Sequence, residues 1–72
     1  MEHYFKDLPI GTIAMAIDFN RIIKKTANNS EYFKELPLAE RPNNCIIIKD
    51  NHNKVINLSA VCGEDVLCKI LK

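Results

Sequence analysis

From Ile13 to Phe19 large apolar side chains fall at every second position, Ile13, Met15, Ile17 and Phe19, with Thr12, Ala14, Ala16 and Asp18 between them. A repeat of two is the strand period. A helix over about 12–26 competes, because it would group Ile13 with Ile17 and Met15 with Phe19 and Ile22, and the alanines and Met15 are good helix formers. Three features favour a hairpin instead: turn chemistry in the upstream "PIG", the turn-tolerant Asp18 and Asn20, and the β-branched run "RIIKKT" directly after them.

A second pair of β-branched runs, Cys45 to Lys49 and Lys54 to Ser59, flanks the polar tip "DNHN" and predicts a β-hairpin. Its first arm is apolar at every position from Cys45 to Ile48, which predicts a central strand or a subunit contact. Between the hairpins runs a long connection, "SEYFKELPLAERPNN", with two prolines and room for a short helical turn over 31–36. Connections of that length are often functional. The final "GEDVLCKILK" reads as a strand with Val66, Cys68 and Ile70 on one face, or as a short helix after Gly63. The expected fold is mainly β: a single small domain over 1–72, a β-barrel or half-barrel of about five strands built from two hairpins, with one short helix allowed.

At 72 residues the chain buries only about 60% of its unfolded surface, and domains of this size usually draw on a staple such as a disulfide, a metal or self-association. Three cysteines with no secretory segment predict free thiols, a reducing cytosolic setting, and therefore self-association as the staple. No apolar run approaches the ~20 residues that span a bilayer, so no membrane role is expected. The net charge of +1 disfavours general nucleic-acid binding.

The chemistry-bearing residues are sparse. No Cys-x-x-Cys pair exists among Cys45, Cys62 and Cys68, so neither a metal nor another cofactor is expected. A cysteine nucleophile would need His3 or His52 beside it, and nothing in the spacing demands that, so the expected protein is not an enzyme. The densest cluster is Arg21, Lys24, Lys25 and Thr26, followed by Tyr32 and Phe33, with Arg41 further on. Cations for phosphate, hydroxyl donors and rings for stacking are what an anionic nucleotide requires, and these seven residues form the expected ligand site. Leu36, Leu38 and Arg41 in "LPLAERP" also suit a protein partner.

The segments "FKDLPIGT", "IIKKT", "NNCIIIKDNHNKVINLS" and "EDVLCKI" together resemble a pattern of small, mostly phage-encoded β-barrel proteins with an F-x-D-L-P-x-G-T opening and a later N-x-hydrophobic hairpin. That resemblance implies a viral or mobile-element origin and supplies no catalytic residues. With the small size, it leads to an expected binding protein that antagonises host defence, by sequestering a nucleotide signal or by blocking a host protein. The competing expectation is an assembly module acting through exposed β edges without a small ligand.

Overall fold

The computed structural model describes residues 1–28 and 35–71. It is mainly β: β1 (Glu2–Tyr4), β2 (Ile13–Ala16), β3 (Arg21–Lys25), β4 (Cys45–Lys49), β5 (Val55–Ala60) and β6 (Leu67–Ile70). The strands form one sheet in the order β1-β6-β2-β3-β4-β5, antiparallel throughout, with β1 and β5 as its edges. The sheet is open, a half-barrel rather than a barrel. No described helix is long and apolar enough to cross a membrane.

Both expected hairpins form. The first turns through a 3-10 segment, Ile17–Phe19, and then Asn20, which takes the left-handed conformation at φ 51° and donates its N–H to Ile17 O at 3.3 Å. Asparagine tolerates that region better than most residues, which is why the chain reverses here instead of continuing as a helix. The alternation of β2 carries an inversion of size: Ala14 and Ala16 are buried while Ile13 and Met15 are half-buried. Phe5 and Leu8 belong to the same buried cluster as the alanines and take up the volume on that face. The tail is the strand β6, and β1 brings the count to six; three residues are too few to show a period. Among the described residues the only helical turns are 3-10, and the helical turn expected over 31–36 falls mostly outside them.

β4 is central, hydrogen-bonded to β3 and β5, with Cys45 and Ile47 buried. Its pairing shifts register on both sides, between Ile22 and Ile23 of β3 and between Ile47 and Lys49 toward β5. At the β4–β5 tip Asp50 Oδ1 accepts the N–H groups of His52 and Lys54, each at 2.9 Å. Those bonds lower the Asp50 carboxyl, Lys54 contributing most.

The inner face holds Phe5, Leu8, Ala14, Ala16, Ile23, Cys45, Ile47, Cys62 and Cys68, together with two buried polar side chains, Lys25 and Asn44. Buried polar groups persist where they are fully bonded. Asn44 meets that condition: Nδ2 donates to Cys62 O at 2.9 Å and Oδ1 accepts the Cys62 N–H at 2.7 Å. Its own backbone N–H donates to Ala60 O, and its carbonyl accepts from Thr26 and Ala27. One side chain thereby ties the start of β4 to the segment leaving β5. Lys25 donates to Phe5 O at 3.0 Å and Lys6 O at 3.3 Å, with Nζ 4.9 Å from the Phe5 ring centre. It pins the 3-10 turn Phe5–Asp7 over the open end of the sheet.

Candidate functional site

Strand geometry disperses the cationic cluster read from the sequence. Lys24 lies opposite Ile13 and Ile46, on the outer face, while Ile23 and Lys25 point inward. Lys25 is a structural lysine: its ammonium is buried and committed to two carbonyls, which removes it from the expected ligand set. Thr26 is exposed just beyond β3 with its backbone N–H on Asn44 O at 2.9 Å. Arg41 is half-buried and its Nε donates to Leu36 O at 2.8 Å. Tyr32 and Phe33 lie outside the described residues. Arg21 and Arg41 are the two that reach one neighbourhood.

That neighbourhood is a cleft of about 220 Å³ on the inner face, floored by Ala16, Ile23, Cys45, Ile47, Cys62 and Val66, with Arg21 at its margin. Phe19 and Leu38 stand at its mouth, 54% and 51% exposed. Through Phe19, Leu38, Gly63 and Val66 it opens into a broader hollow of about 490 Å³ lined by Asp18, Arg41, Glu64 and Asp65. The floor is apolar, and the rim carries both signs of charge. Glu64 Oε1 is buried and has no hydrogen-bond partner among the described residues.

The thiols facing this cleft are poor nucleophiles. Burial pushes Cys62 up to about 12, reinforced by Cys45, Cys68 and Glu64 and opposed by Lys25. Burial likewise raises Cys45 to about 11, with Cys68 adding to it. A thiol held protonated at neutral pH neither attacks nor ligates readily. Among the described residues no group of three or more His, Cys, Asp or Glu side chains is arranged to hold a metal ion.

Protein-family models, curated proteins and solved structures, compared with this chain, give no match. The cleft is the feature of this fold with the most chemistry to offer a partner. Its two prominent apolar groups, Phe19 and Leu38, had different visibility in the sequence. Leu38 belonged to a segment suited to docking, whereas Phe19 read as the last member of an alternating strand. The acidic rim of Asp18, Glu64 and Asp65 is assembled from two distant turns, and no local pattern announces it.

Proposed function

We propose that the protein is a binding module without turnover that blocks a host defence protein, in the phage or mobile-element setting its sequence resemblance implies. The observation that carries this reading is the inner-face cleft: an apolar floor, two exposed apolar side chains at the mouth, and a charged rim. This is the anatomy of a protein-binding patch, with a dry centre and a polar margin. The rim bears on the partner's chemistry. Asp18, Glu64 and Asp65 outnumber Arg41 around the broader hollow, and the unbonded Glu64 oxygen is an acceptor in want of a donor. A segment presenting one apolar anchor followed by Lys or Arg satisfies both parts.

Expression of the chain in host cells carrying a defence system, scored by phage plating, tests the reading. The wild-type chain is expected to raise plating, and the double variant Phe19→Glu, Leu38→Glu to lose the effect while keeping its circular dichroism and thermal midpoint. Full protection retained by that double variant would rule out the cleft.

A second reading, assembly through β edges, draws on β5, a six-residue edge strand with Val55 and Leu58 each 58% exposed. Self-association through that edge would supply the staple expected of so small a chain. Val55→Lys with Leu58→Lys should leave the cleft reading untouched and abolish any oligomer built on β5, as read by native mass spectrometry.

A further inference from the structure

The outer face of the sheet gathers three lysines from separate strands. On the outer face the cross-strand register aligns Glu2, Lys69, Met15, Ile22 and Lys49 in one row, and Ile13, Lys24, Ile46 and Ser59 in the next. Directly opposed side chains in an antiparallel sheet share a face. Lys24, Lys49 and Lys69 therefore stand among half-buried Ile13, Met15, Ile22 and Ile46. None of the three lysines has an ion pair or hydrogen bond at its ammonium among the described residues. The acidic groups nearby are Glu2, opposite Lys69 at the far edge, and Asp50, whose Oδ1 already accepts two tip N–H groups.

At the Lys49 end of this face lies a hollow of about 250 Å³, floored by Met15 and Ile22 and bordered by Lys49, Asn20, Asn51, Asn53 and Asp50, whose carboxylate is turned to the tip N–H groups through Oδ1. The amides of these three asparagines make no side-chain hydrogen bond among the described residues. Asn20 and Asn53 both hold positive φ, 51° and 64°, the left-handed region that asparagine tolerates in turns. The hollow thus joins an apolar floor for a flat ring, free amides that donate and accept at its edge, and an unpaired ammonium for an anion. Two further lysines lie beside it, Lys69 across from Met15 and Lys24 two residues along β3 from Ile22.

We propose that this hollow binds a nucleoside monophosphate. The base lies on Met15 and Ile22, the asparagine amides meet its edge, and Lys49 takes the phosphate, with Lys24 and Lys69 adding field. Inorganic phosphate or a lipid headgroup would leave the apolar floor and the amides unused. An acidic peptide would meet the amides through its backbone but, without an aromatic side chain, would bring no flat ring to the apolar floor. The site is on the opposite face from the protein-binding cleft and stands independently of it.

The test is a nitrogen-15 NMR titration of the full chain with AMP, GMP, CMP and UMP, against inorganic phosphate, adenosine and a short oligothymidylate. A saturable shift is expected at residues 20, 22 and 49–53, including the asparagine side-chain amides, with at least one mononucleotide binding tenfold or more tighter than inorganic phosphate. Lys49→Gln should weaken binding about tenfold, and Lys24→Gln or Lys69→Gln two- to threefold each. Asn20→Gly and Asn53→Gly keep the left-handed backbone while deleting the amide, and should weaken the preferred nucleotide without affecting phosphate. The double variant Phe19→Glu, Leu38→Glu should bind the nucleotide as the wild type does. Equal affinity for inorganic phosphate, shifts confined to the other face, or no saturation with any mononucleotide would overturn the proposal. An oligothymidylate that binds tenfold tighter than every mononucleotide would overturn the free nucleotide as occupant and assign the face to a strand.

Discussion

The two arms of the second hairpin are both rich in β-branched and aliphatic residues, yet they end in opposite surroundings. β4 has neighbours on both sides and buries Cys45 and Ile47, whereas β5 has one neighbour and exposes Val55, Ile56 and Leu58. Hydrophobicity along a strand measures its capacity for burial, and strand order decides how much of that capacity is used. The edge arm carries its own restraint. The pairing is irregular between Ile47 and Lys49, and Asn57 on β5 adopts φ 49°. A kinked strand makes a poorer template for a further strand than a flat one.

The sharpest way to break the contrast is at the clamp where β4 begins. Asn44→Ala strands both the N–H and the carbonyl of Cys62, each an unmet buried group costing about 1–3 kcal/mol, so a loss of about 4 kcal/mol is expected. Domains hold roughly 0.05–0.15 kcal/mol per residue, about 4–11 kcal/mol for this chain, so the variant should lose at least about a third of its stability, read as a lowered urea midpoint. Next comes the pair of arms itself. Ile47→Ala should cost about 3 kcal/mol and Leu58→Ala less than about 1 kcal/mol, measured by the same denaturation midpoints. Similar costs at the two positions would mean that β5 is covered in solution.

Alkaline pH gives a smaller effect that separates buried from exposed chemistry. The Cys45 and Cys62 thiols sit at about 11 and about 12 in the fold, against an ordinary 9.0, because burial disfavours the thiolate. The folded state therefore favours the protonated form, and the stability this confers is whole below pH 9 and declines as pH rises through 11 and 12. Thiol labelling at pH 8 should be slow for the native protein and fast in denaturant. Smallest of all is the hairpin tip. The lowered Asp50 carboxyl favours the folded tip above the ordinary 3.8, and that contribution fades as pH falls through the folded value. Asp50→Ala should speed hydrogen exchange at His52 and Lys54 without moving the global midpoint.

What the sequence made legible was whatever repeats within a few residues. The alternation that starts at Ile13, the run "RIIKKT" and the runs on either side of "DNHN" mark four of the six strands, and the tail marks a fifth. Asn44 shows the opposite case: "PNN" reads as loop, and its partner Cys62 is eighteen positions away. Lys25 was misleading because a lysine pair at a strand end is usually solvated, and its role depends on the backbone of Phe5 and Lys6 passing overhead. The ligand cluster scattered for a simpler reason, since neighbours along a strand point to opposite faces.

The placement of β6 has a further consequence for the order in which the chain matures. β6 lies between β1 and β2, so no ladder links those two strands to one sheet until residues 67–70 arrive and pair with both. During synthesis the early segments emerge first and wait with unpaired backbone. The two hairpins gather locally in microseconds, whereas the seam joining the N-terminal strand to them is a late, long-range event. Assembly of the sheet should thus be governed by the capture of its last strand, and a nascent chain stalled before Leu67 would present β2 as an open, adhesive margin to whatever protein it meets first.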